Sequence, residues 1–169
     1  VNFGDRREAQ PFFSRRIGVA KDTAGTTFEN KIIAGVRLSG KINNDLRLGF
    51  LNMQTAEDPT NQIAGNNNTV FTLQKKVLDR SNLGFIFVNR QTTGAPDFEH
   101  RQESFNRVVG VDFNLASKSN RWTGRTFLHQ SFSPDKPKEA YASGLNLEYN
   151  ARVHSVSYGA VRIGDNYQS

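Results

Sequence analysis

Side chains able to do chemistry are few in this chain and poorly spaced for it. His100, His129 and His154 are its three histidines and there is no cysteine, so a transition-metal site would need imidazole and carboxylate alone, and the wide gaps between the three give no ligand spacing. No metal or other cofactor is expected. A hydrolytic site could be assembled from Ser104, His100 and Asp97, which share one polar stretch, but nothing in their spacing orients the imidazole on the hydroxyl, and solvated loop residues are the simpler reading. Complete Gly-x-Gly-x-x-Gly, Gly-x-x-x-x-Gly-Lys-Ser/Thr, Gly-x-Ser-x-Gly and His-Glu-x-x-His segments do not occur; these are the spacings that cradle phosphate, expose a serine or hold zinc. Catalysis is not expected.

What remains is charge. Lys and Arg number 22 against 16 Asp and Glu, a net +6, which would attract nucleic acid, anionic headgroups or acidic polysaccharide. No run of like charges is long enough to mark a tail, so the surplus reads as dispersed. Phe12-Phe13 beside Arg15-Arg16 could stack on single-stranded nucleic acid. Most Phe residues, however, share the aliphatic side of a strand, where burial competes with stacking, so no nucleic-acid partner is expected and Arg15 and Arg16 are read as solvent-exposed. More ordered are Arg37, Arg47, Arg90 and Arg125, which with Asp112 and Glu148 stand at positions alternating with apolar residues.

Strands must hold those positions. From Lys31 to Lys41, Ile32, Ala34, Val36 and Leu38 alternate with Gly35, Arg37, Ser39 and Lys41, the period of an amphipathic strand. Leu46, Leu48 and Phe50 resume it after an Asn-rich turn, a hairpin signature, and Tyr141, Ser143, Leu145, Leu147 and Tyr149 repeat it with aromatics at both ends. With 17 Asn and 14 Gly the composition favours strand and turn; the best helical segment, Leu73 to Arg80, is too short and lacks an N-cap. Strands are expected near 12–18, 31–41, 46–55, 68–77, 82–90, 105–115, 121–130, 140–149 and 153–163, in a single domain of residues 1–169.

The gaps between these strands alternate, short at 42–45, 79–81, 116–120 and 150–152, long at 19–30, 56–67, 91–104 and 132–139. Outer-membrane barrels have that asymmetry, with short periplasmic turns, longer outer loops and tilted strands of roughly 9 to 11 residues. The face rich in Gly and charge would line a lumen, with Arg37, Arg47, Arg90, Asp112, Arg125 and Glu148 as lumen-facing candidates. Trp122, Tyr141 and Tyr149 would be girdle residues at the membrane interfaces. The Arg set suits either a cationic passage for anionic solutes or a ladder paired to Asp112 and Glu148 that fills the interior; the ladder is favoured because charge inside must be hydrated or paired. The polar stretch from Glu57-Asp58 through Asn66-Asn67-Asn68-Thr69 is expected to be a loop, able to touch sugar or calcium or to be a plain tip. The sequon Asn67-Asn68-Thr69 is read as chance.

Phe12-Phe13-Ser14-Arg15-Arg16-Ile17-Gly18, Ile33 to Lys41, Leu83 to Arg90, Val109-Gly110-Val111-Asp112-Phe113 and Ile163-Gly164-Asp165-Asn166-Tyr167 together resemble a bacterial outer-membrane family. Its members carry a carbohydrate-binding-module family nine-like domain ahead of a barrel domain of unknown function. The resemblance runs the whole length and implies an all-β, antiparallel up-and-down transmembrane β-barrel. The chain would be a partial barrel of about 8 to 9 strands and the N-terminal part of a longer domain, with any signal peptide outside this stretch. The implied role is transport, surface binding or scaffolding, with outer-membrane lipid as partner and other outer-membrane proteins or saccharide as candidates. The rivals are a soluble β-sandwich or barrel binding a saccharide or acidic ligand, and an outer-membrane hydrolase with a loop-borne site.

Overall fold

Alternating apolar and polar side chains give a pleated ribbon two unlike faces, and such ribbons are stable only when laid edge to edge. The computed structural model of the chain describes residues 11, 17–21, 27–61, 63–93, 104–134 and 140–167. In it β1 (Val19–Lys21) and β2 (Thr27–Glu29) make a small antiparallel pair. The other eight strands are β3 (Ile32–Lys41), β4 (Leu46–Thr55), β5 (Gly65–Val77), β6 (Ser81–Thr93), β7 (Phe105–Ala116), β8 (Trp122–Phe132), β9 (Tyr141–Asn150) and β10 (Ser155–Ile163). They form one sheet in strict chain order, each antiparallel to the next, an up-and-down meander with no helix among the described residues. The sheet is open: neither the outer edge of β3 nor that of β10 is paired among the described residues.

The strand positions agree with the apolar period, with three differences. The strand read at 12–18 falls largely outside the described residues, and the gap expected at 19–30 contains β1 and β2. The central strands also run further than expected toward the long connections: β5 starts at Gly65 and β6 ends at Thr93, 13 residues each. Their extra residues are Asn, Gln and Thr, which suggest turns in a sequence but here pair side chain to side chain. Asn52 Nδ2 donates to Asn67 Oδ1 at 3.0 Å and to Thr69 Oγ1 at 2.8 Å, and Gln54 Nε2 donates to Thr93 Oγ1 at 2.8 Å. The second half of the expected 57–69 loop, sequon included, is therefore ladder-bonded strand.

Register places the two faces. Residues paired across neighbouring strands share a face, so the row Lys41, Arg47, Gln74, Gly84, Asp112, Phe127, Gly144 and Val161 defines one side of the whole sheet. The opposite side carries Leu48, Phe50, Phe71, Leu73, Phe85, Phe87, Val111, Leu128, Leu145 and Leu147. Burial is one-sided: Val70, Ile86, Val108, Phe127 and Ala142 are buried on the first side together with Asp112 and His129. Apart from Gly65 and Ser81 at strand ends, every buried strand residue sits on the first, polar side, whereas Val111, Leu128 and Leu145 on the apolar side are 45%, 60% and 44% exposed. No described element packs on the apolar side.

On the polar side bulky residues lie across glycines of the next strand. A Cβ at Gly144 would run into the ring of Phe127, and one at Gly110 into His129 and Ile86. Gly144→Val should therefore lower the free energy of unfolding by about 1–3 kcal/mol, as overpacking does, measured as a shifted urea midpoint; an unchanged midpoint would mean that Phe127 has room to move aside.

Candidate functional site

The polar side is built around one carboxylate. Asp112, in the middle of β7, faces Phe127 across the β7–β8 ladder, and the residues flanking Phe127 on the same face are Arg125 and His129. Period two thus delivers a cation and an imidazole to either side of Asp112. Arg125 Nη2 donates to Asp112 Oδ2 at 2.9 Å, and His129 Nε2 stands 2.7 Å from Oδ1. A carboxylate paired to Arg is acceptor-only, so Nε2 carries the hydrogen of that bond. Asp112 is 1% exposed and His129 is fully buried. An ion pair at such depth is tolerated only when geometry and further hydrogen bonds offset desolvation; here both carboxylate oxygens have a donor.

The chain closes over this cluster. After β10, Gly164 N–H donates to Tyr141 C=O and Tyr167 N–H to Gly164 C=O, a turn that lays the Tyr167 ring on Phe127 and Ala142. Burial and, secondarily, the nearby charge of Asp112 push the Tyr167 phenol above its ordinary value. Its hydroxyl makes no hydrogen bond among the described residues.

Across the sheet the same face is open. Beside β3, β4 and β5 lies a concavity of about 940 Å³ whose lining includes Arg37, Arg47, Ser39, Thr72 and Gln74 with Leu51, Met53 and Val70. The face is thus packed around Asp112 and open beside β3–β5, with a smaller cavity of about 340 Å³ next to Arg125 and Phe127 toward β10.

Each residue singled out in the sequence can now be placed. Arg37, Arg47, Arg90, Asp112, Arg125 and Glu148 share the polar face, but only Arg125 meets Asp112; Glu148 accepts instead from Asn150 Nδ2 at 3.0 Å. Trp122 and Tyr149 are direct partners on the apolar face at the short-turn end, rings 4.8 Å apart. Tyr141 lies on the same face at the other end, with Arg162 over its ring. Phe105 and Phe132 share that end and face, Phe105 beneath Arg107; the sequence reading missed Phe132 by ending its strand at Gln130. Trp122 and Phe132 are ten positions apart on β8, ~34 Å along the strand and ~26 Å across a tilted sheet, near the ~25 Å apolar band of a membrane barrel.

The His129–Asp112 contact was also missed, because no local motif marks a pair joined only by strand register. His154 sits in the β9–β10 turn, His100 and Asp97 lie outside the described residues, and Ser104 C=O accepts from Thr92 N–H. Among the described residues no group of three His, Asp or Glu could hold a metal. In the Asp58 loop, the Asn61 side-chain amide and nearby backbone N–H groups occupy the carboxylate and hold its pKa below the usual range, which leaves less of it for calcium.

Comparison with protein-family models, curated proteins and solved structures gives no match.

Asp112→Ala strands a buried imidazole beside a half-buried guanidinium and should cost about 3 kcal/mol in urea unfolding; a cost below about 1 kcal/mol would mean that the cluster is not structural. Tyr167→Phe should be near neutral at pH 7. The folded chain keeps this phenol protonated while the unfolded chain releases its proton near 10.0, so wild-type stability should fall as pH climbs past that value. The Phe variant should show less of that fall.

Proposed function

We propose that this chain forms part of the transmembrane wall of a bacterial outer-membrane β-barrel, with its polar face toward the lumen and its apolar face toward lipid, and that it serves the passage of anionic solutes. The one-sided burial carries the reading: Asp112 and His129 are enclosed with Val70, Ile86, Val108 and Phe127 on one side, while Val111, Leu128 and Leu145 on the other are 45%, 60% and 44% exposed and no described element packs on them. Water would penalise such a surface by about 25 cal/mol per Å²; acyl chains would not. A soluble sandwich would need a second layer on that side. The resemblance of Phe12 to Gly18 and of the later stretches to outer-membrane barrel proteins supports the same conclusion.

Two physical consequences follow. In hydrocarbon each unpaired backbone group costs several kcal/mol, so the outer edges of β3 and β10 require partners: further strands of a longer barrel, or each other. The interior divides as the polar face does. Around Asp112 a single pair, Arg125 with Asp112, stands in place of the expected ladder, and a solute path runs along the open part, whose lining includes Arg37 and Arg47. Other outer-membrane proteins or saccharide would meet the long connections rather than this face.

Two measurements test the reading. Trp122 is the one tryptophan of the chain; in vesicles containing brominated phosphatidylcholine its fluorescence should be strongly quenched, whereas a protein soluble without detergent and unquenched by such vesicles would sink the membrane assignment. In a planar bilayer the inserted protein should pass anions in preference to cations, and Arg37→Glu with Arg47→Glu should reverse that preference. Insertion without current would make it a closed scaffold instead of a pore.

A further inference from the structure

The net charge, scattered along the sequence, is gathered at one end of the sheet. The four short connections with their flanking strand ends, residues 41–47, 75–80, 117–121 and 151–154, contain eight Lys and Arg against two Asp. That surplus equals the whole net charge of +6, so the rest of the chain is balanced. The long connections at the other end, 56–64, 94–104 and 133–140, carry seven Asp and Glu against three Lys and Arg in sequence. At the short-turn end Lys75, Lys76 and Arg80 flank the β5–β6 turn, Lys118 and Arg121 the β7–β8 turn, and Arg152 the last; all are exposed and none forms an ion pair among the described residues.

The same tips display apolar side chains. Ile42, Leu78 and Val153 are each largely exposed, one on each of three turns. Leu78 is held at φ 55°, in the left-handed region where a Cβ costs roughly 1–2 kcal/mol and Gly or Asn is at ease. Exposed aliphatic tips, unpaired cations and the Trp122–Tyr149 pair at one level form the combination that suits a membrane interface, where hydrocarbon, headgroup phosphate and water meet within a few ångströms.

We propose that the short-turn end is a binding surface for anionic phospholipid headgroups, its lysines and arginines pairing with phosphate while Ile42, Leu78 and Val153 rest on the upper acyl region. The proposal rests on the membrane reading above and specifies the leaflet contact: each cation near an anionic membrane surface is attracted appreciably and independently of the lumen. An acidic protein domain would match the cations but would not call for the aromatic pair at the same level.

Trp122 reports on both questions. The protein is reconstituted in phosphatidylcholine vesicles in which one fifth of the lipid is brominated, either as phosphatidylcholine or as phosphatidylglycerol. Quenching by brominated phosphatidylcholine tests membrane insertion; its absence refutes that reading and leaves the lipid preference with no basis. Given insertion, brominated phosphatidylglycerol should be enriched at Trp122 about threefold over phosphatidylcholine. The enrichment should shrink in 0.5 M salt and should fall toward unity in a Lys75→Gln, Lys76→Gln, Lys118→Gln, Arg121→Gln variant that still inserts. Equal quenching by the two lipids overturns the proposal. So does a surface that ignores phosphatidylglycerol but retains polyglutamate in a manner abolished by the same substitutions, since that would identify a docking face for acidic protein. Leu78→Asn separates the tip from the charges: it should unfold at higher urea through relief of the left-handed strain, yet show weaker enrichment.

Discussion

One constraint organises the rest of this molecule: a single sheet that encloses an ion cluster at its centre on one side and leaves an aliphatic band bare on the other. Eight antiparallel strands satisfy one another's backbone groups from β4 to β9, and once that ladder exists the two faces must find different surroundings. The polar face is sealed by its own side chains and by Tyr167; the apolar face is left bare. On the membrane reading proposed above, lipid would meet the bare aliphatic side while Asp112 keeps its protein partners on the other.

The polar face is not uniform, and its two halves have different physics. Around Asp112, Gly110 on β7 and Gly144 on β9 leave room for His129 and Phe127 to lie close against neighbouring strands, so the ion cluster sits under bulky side chains although its members are ionisable. Beside β3–β5 the side chains of Arg37 and Arg47 project into open volume. Charge that is paired and enclosed fixes structure; charge that borders solvent can attract a solute. A single face thereby holds both an enclosed ion pair and an open concavity.

Strand ends carry a second division. Beyond the aliphatic band, amides of Asn52, Gln54 and Asn67 join strands through their side chains, and aromatic rings bracket the sheet at both ends. The basic short turns give one end of the sheet a concentration of cations, so the strand axis has a direction that the ladder alone would not impart.

Much of this was legible in the sequence. Period two assigned Arg37, Arg47, Arg90, Asp112, Arg125 and Glu148 to one face, and the unequal gaps fixed an up-and-down order, because side-chain alternation and connection length are local properties of the chain. Three things were decided only by tertiary structure. Pairing register brought His129 and Arg125 onto Asp112, a relation between residues 17 and 13 positions apart that no motif encodes. Partner strands drew Gly65 to Asn67 and Gln91 to Thr93, which the local pattern reads as connections, into strand. Reversal of the chain at every hairpin stacked charges distant in sequence at one end of the sheet, and which end of the strands a charge occupies is a property of the folded sheet, invisible to a reading that sees only neighbours along the chain.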